Sequence, residues 1–86
     1  MIHITRLEAL PDSLLRLQFD DGTEKLVDVR PFIGDDALTA PLRDVAYFQQ
    51  VRVYENGRGI FWPNEYDMCP DYLRYHAQDA RQTVIS

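Results

Sequence analysis

The sequence predicts an α+β domain: an antiparallel sheet of about five strands, built as a meander plus a hairpin, with short helices packed on one side. Three observations predict it. Apolar and polar residues alternate with a period of two through Leu15–Phe19, Thr23–Val29 and Val51–Tyr54. Asp20-Asp21-Gly22 and Asn56-Gly57 fall between such runs, where a hairpin needs residues that tolerate positive φ. Two proline-led stretches, from Pro41 and from Pro70, then switch to helical spacing, and proline suits a first helical position because its missing N–H leaves no bond unmade.

Taken in order, Ile2 to Leu7 reads as a first strand, with Ile2 and Ile4 on one face and Thr5 and Leu7 on the other. Apolar groups on both faces predict a central position. Pro11-Asp12-Ser13 makes a turn. Leu15, Leu17 and Phe19 then face the core while Arg16, Gln18 and Asp20 face solvent. After the Asp20-Asp21-Gly22 turn, Lys25, Val27 and Val29 alternate against Glu24, Leu26 and Asp28. Pro31 to Ala40 breaks the pattern: Phe32 and Ile33 tuck under the sheet, and Gly34-Asp35-Asp36 marks an exposed loop. In Pro41 to Gln50, the spacing of Leu42, Val45 and Phe48 gives the stripe of one or two helical turns, too short to stand without docking on the sheet.

Val51 to Tyr72 is the densest apolar and aromatic run. Val51 and Val53 alternate with Arg52 and Tyr54, the chain turns at Asn56-Gly57, and Ile60 to Trp62 returns antiparallel. Pro63 ends that ladder for want of an N–H. From Pro70 a helix is expected through Gln82, with Leu73, Ala77 and Ala80 along one side. Residues 1–75 are expected to form the single compact domain, and 76–86 the end of the helix and a tail.

Composition bounds the function. A chain of 86 residues holds one domain with a modest core, and its 45% apolar and 12% aromatic content is that of a folded globular chain. The single Cys69 forms no internal disulfide, which fits a reducing cytosol. No signal peptide and no stretch of membrane-spanning length stands out, so the chain reads as soluble and cytoplasmic. Fourteen acids against nine bases give a net charge of −5, which opposes binding to a phosphate backbone and suits a basic protein partner. Arg43, Arg52 and Arg58 make residues 41–64 the one locally basic stretch, readable as a basic patch or as a solvated strand face.

No reaction is legible. Glu65, Asp67 and Asp71 gather around one loop, but Asp67 and Asp71 suit capping of the helix from Pro70, where exposed N–H groups favour negative charge. Cys69, His76, Asp67, Asp71 and the remote His3 are the available metal ligands, and their spacing matches no common zinc pattern. Cys69 with His76 as its base lacks an orienting group and an oxyanion hole, so Cys69 reads as a small buried hydrophobe. No Gly-rich phosphate loop or nucleophile elbow occurs. Neither catalysis nor a cofactor nor a metal is expected. Trp62, beside Pro63 at a strand end, reads either as a lid on the core or as an anchor for a partner. Tyr72 and Tyr75 carry the same ambiguity. With Tyr66, Asp67 and Asp71 these form the candidate interaction surface, since Trp and Tyr are enriched at binding hot spots.

Leu14 to Gly22, Asp28, Pro41-Leu42-Arg43-Asp44 leading to Phe48, and above all Ile60 to Leu73 with Trp62-Pro63, Asp67 and Pro70, resemble a bacterial family, the domain of unknown function 2442. The resemblance covers about residues 1–75. Glu65 stands where a Gly is frequent in the family, which predicts a different backbone there. The resemblance implies a compact α+β module without enzymatic activity. It further implies that some members stand alone as the antitoxin half of a toxin–antitoxin pair, while others carry a helix-turn-helix segment after the domain. This chain is too short for that segment. The expected function is therefore a non-enzymatic protein-interaction module, antitoxin-like, paired with a small basic protein. The alternative is a small nucleic-acid-binding or transcription-regulatory accessory domain using Arg43, Arg52 and Arg58. A homodimer through the Asn56-Gly57 hairpin edge is a further possibility, with Arg52 and Arg58 placed to discourage it.

Overall fold

The computed structural model describes residues 2–77, 79 and 80. The α+β class holds, but among the described residues the strands number six and divide between two antiparallel sheets. The first sheet is a meander of β1 (Ile4–Leu10), β2 (Leu14–Phe19) and β3 (Glu24–Asp28), in that spatial order. On its inner face Leu15, Leu17, Phe19, Val27 and Val29 are all buried, as the alternation requires. The first strand is not central. It lies at the edge of this sheet, and its register shifts between Ile4 and Arg6. That shift takes one residue out of the pleat, so Ile4 and Leu7, of opposite parity, both pack toward the core. What looked like a strand apolar on two faces is a bulged strand apolar on one.

Pro11–Ser13 forms a tight turn in which Asp12 and Ser13 hold φ values of 66° and 61°, and the Val29 N–H donates back to the Ser13 carbonyl. Beyond β3, Phe32 and Ile33 pack against the core as expected. The following loop winds around Asp36, whose carboxylate accepts from the Leu38 and Thr39 N–H groups and from the Thr39 hydroxyl. The Pro41–Gln50 segment is two pieces, a single turn over Ala40–Arg43 and α1 (Val45–Phe48). Asp44, extended at ψ 121°, separates them and caps α1 by accepting from the N–H groups of Ala46 and Tyr47. This break resets the helical phase. Leu42 and Phe48 are buried, but Val45 is 69% exposed and leaves the expected stripe.

The second sheet has the order β4 (Arg52–Val53), β5 (Ile60–Phe61) and β6 (Asp67–Met68). β4 and β5 pair antiparallel across the Asn56-Gly57 turn, where Asn56 and Gly57 hold φ values of 68° and 71°. β6, which the sequence pattern did not suggest, adds to the other edge of β5. Trp62 lies between the layers, fully buried, with its indole N–H donating to the Phe48 carbonyl at 3.0 Å.

The terminal helix is far shorter than expected. After Pro70 the chain makes one π turn, Tyr72–His76, and Ala77 turns out of it at ψ 135°. Asp79 then lies opposite Val27 as an antiparallel bridge. Leu73 and Ala77 are buried as the spacing predicted, and Ala80 is half-buried. Positions 78, 81 and 82 of the expected helix, and most of the expected 76–86 tail, lie outside the described residues. Beyond Tyr75, Ala77 is therefore still buried and Asp79 still lies against the first sheet.

Candidate interaction surface

The π turn is pinned to β3 by Lys25. Sequence alternation put this lysine in phase with Val27 and Val29, and on their buried face it is 9% exposed, its ammonium donating to the backbone carbonyls of Leu73, Arg74 and Ala77. Burial pulls the Lys25 pKa down from its ordinary value, and the carboxylate of Asp79 opposes that shift. A second tie comes from Arg74, whose Nε donates to Asp21 at 2.9 Å. Asp21 is held below the usual carboxylate range chiefly by the Thr23 N–H.

On this pinned turn Tyr72 is 39% exposed and Tyr75 is 62% exposed. The Phe32 ring meets Tyr72 edge-on and His76 stacks along it, each at 5.9 Å between centroids. The Arg74 guanidinium lies over the Tyr75 ring at 5.1 Å. An open groove of about 630 Å³ borders the turn, lined by Leu14, Leu26, Phe32, Tyr72, His76 and Ala77.

The other expected surface residues divide. Trp62 is wholly buried, so of its two readings the core lid is the one this position permits. Tyr66 is half-buried against Trp62, and burial raises its phenol pKa. Asp67 is exposed but lies in β6, where it accepts from the Tyr54 hydroxyl at 3.0 Å instead of capping a helix. Asp71 precedes the π turn, and its side chain makes no capping bond. Cys69 is exposed, contrary to the buried position expected, because β6 carries Met68 inward and alternation turns the next side chain out.

Of the basic residues, Arg52 and Arg58 are exposed on the hairpin, whereas Arg43 pairs with Asp35 at 3.2 Å. Tyr54 is an exposed aromatic that sequence reasoning passed over. It stacks on Phe61 at 4.4 Å, and its outward place in the Val51–Tyr54 alternation was the available signal. Among the described residues, no three of His, Cys, Asp and Glu gather closely enough to hold a metal ion, and no helix is long and apolar enough to cross a membrane.

A family model described as protein of unknown function (DUF2442) matches residues 4–79. The chain belongs to the DUF2442 family. Comparisons with curated proteins and with solved structures give no match. The DUF2442 match runs past Tyr75 and takes in the Lys25-bound turn and Asp79, four residues further than the resemblance reached. Glu65 holds φ at 72°, a left-handed conformation that favours glycine.

Proposed function

We propose that this DUF2442 protein is a non-enzymatic protein-interaction module, the antitoxin-like partner of a small basic protein. The observation that carries the reading is the pair of exposed rings, Tyr72 and Tyr75, on a turn whose backbone is tied down by Lys25 and Arg74. Rings on a fixed backbone lose little conformational freedom on binding, which is why they recur as anchors. Asp71 lies beside them, and the net charge of −5 steers a basic protein toward the domain.

The test is affinity purification of the tagged protein from its host at moderate salt, with mass spectrometry of what is retained. A stoichiometric small basic protein, lost on Tyr75→Ala while the domain stays folded, is the expected result. Recovery of the protein alone, or as a homodimer by light scattering, overturns the reading. The nucleic-acid alternative draws on the exposed Arg52 and Arg58. It requires binding that weakens steeply with added salt, and no retardation of nucleic acid at low salt removes it.

A further inference from the structure

Lys25 holds a segment that also places Leu73 and Ala77 in the core. The pair Leu17↔Lys25 and the pair Leu15↔Val27 are in phase with two backbone bonds, Phe19 N–H to Thr23 and Val29 N–H to Ser13. In an antiparallel ladder that phase directs the backbone groups of Lys25 and Val27 toward β2 and those of Leu26 and Asp28 toward the outer edge of β3. Such an edge is a template for pairing with another chain. Here the C-terminal segment covers it, with Asp79 bridged to Val27. The π turn that leads into this cover ends at Ala77, so its last carbonyls have no further helical turn to bond them. One ammonium, Lys25 Nζ, serves three of them: Leu73 at 2.9 Å, Arg74 at 3.1 Å, and Ala77.

We propose that the Tyr72–Ala77 turn and Asp79 are a releasable cover over the outer edge of β3, and that Lys25 is its latch. Removing the ammonium strands three carbonyls at once, a loss concentrated on the cover, while the β1-β2-β3 ladder keeps every one of its own bonds. Opening of the cover then precedes unfolding of the meander and bares the β3 edge. The inference is independent of any partner, since its test uses the isolated chain.

The experiment is residue-resolved amide hydrogen exchange on the full-length protein and on Lys25→Met, which keeps the length of the side chain without its charge. The amides of Leu26, Leu73 and Ala77 report the cover, and those of Leu15 and Leu17 report the meander. In Lys25→Met the first group is expected to exchange faster by on the order of tenfold or more, with the second group little changed. Equal acceleration of both groups overturns the proposal and makes Lys25 an ordinary part of one cooperative core. Should Lys25→Met fail to fold, the unaltered protein in rising sub-denaturing urea decides. Exchange of Leu26 and Ala77 through a separate, lower-energy opening supports the latch, and their merging with Leu15 and Leu17 throughout refutes it.

Discussion

Replacing Gly57 by Ala, with Gly22→Ala as its control, measures how hard the second sheet's turn presses on the first sheet. Both glycines hold left-handed backbone, at φ +71° and +86°. That conformation costs a residue with a Cβ about 1–2 kcal/mol, and alanine recovers about 0.4–1 kcal/mol by stiffening the unfolded chain. Gly22 has nothing within 4 Å of where a Cβ would stand, so Gly22→Ala should cost only the difference, about 1 kcal/mol. At Gly57 the new Cβ would lie 2.4 Å from the Ile4 carbonyl oxygen and 2.9 Å from the Ile4 nitrogen. Both neighbours are backbone in a paired strand and cannot rotate away. Overpacking of this kind adds about 1–3 kcal/mol, so Gly57→Ala should cost roughly 2–4 kcal/mol. Urea titration followed by Trp62 fluorescence gives both values from the midpoints at a common slope. For a domain of this size the gap of about 2 kcal/mol corresponds to roughly 8–16 °C in melting temperature. Equal losses at the two positions, within about 0.5 kcal/mol, would refute the reasoning. The Glu55–Gly57 turn would then stand off β1, and the two sheets would meet only through their side chains.

Trp62→Ala removes a wholly buried indole and its bond to Phe48, and is expected to cost about 3–5 kcal/mol, enough to leave much of the chain unfolded by circular dichroism. Trp62→Phe keeps most of the packing but leaves the buried carbonyl unpaired, for about 1–3 kcal/mol; a neutral result would mean the indole bond is not made. Glu65→Gly should stabilise by up to about 1 kcal/mol, because relief at φ 72° outweighs the entropy that glycine adds to the unfolded chain, and a lowered urea midpoint would contradict it. Acid should weaken the fold through four carboxylates held below their ordinary value of 3.8: Asp20 mainly by the His3 N–H, Asp21 by the Thr23 N–H, Asp28 by Arg30, and Asp36 by the Thr39 hydroxyl. A depressed carboxylate contributes stability above its unfolded value and loses it as pH falls through the lower folded value, so the urea midpoint should hold steady above about pH 5 and drop below about pH 4. A flat midpoint down to about pH 3 would show that these bonds do not persist in solution.

Local signals carried the meander. Leu15, Leu17 and Phe19 were placed on the inner face by parity, Lys25, Val27 and Val29 were grouped on one face of the next strand without saying which, and all six are buried. The Asp20-Asp21-Gly22 and Asn56-Gly57 turns were legible for the same reason, since their chemistry is confined to adjacent residues. Parity failed at β1, where the register shift at Ile4/Arg6 reverses it. Helical spacing failed twice because something non-periodic intervened: Asp44 takes the next helix's N–H groups and turns Val45 outward, and Lys25 takes the carbonyls that a longer terminal helix would have used. The β6 strand of two residues is too short to show a period at all. Tyr72 and Tyr75, left open in sequence between core and surface on a terminal helix, are exposed on the π turn. Trp62 could not be assigned from sequence, since its partner carbonyl lies 14 positions away.

The Lys25 latch also sets an order on synthesis. Its carbonyl partners lie 48 to 52 residues downstream, so a chain leaving the ribosome carries an unpaired ammonium on its apolar face until they arrive. At about 5–20 residues per second that interval is roughly 3–10 s. During it the charge keeps water against the inner side of the meander and discourages premature closure on any apolar surface. Nascent chains stalled just before Ala77 should stay open to protease, and chains stalled well beyond Asp79 should not. The meander is, in this sense, unfinished until the chain has been made through Ala77.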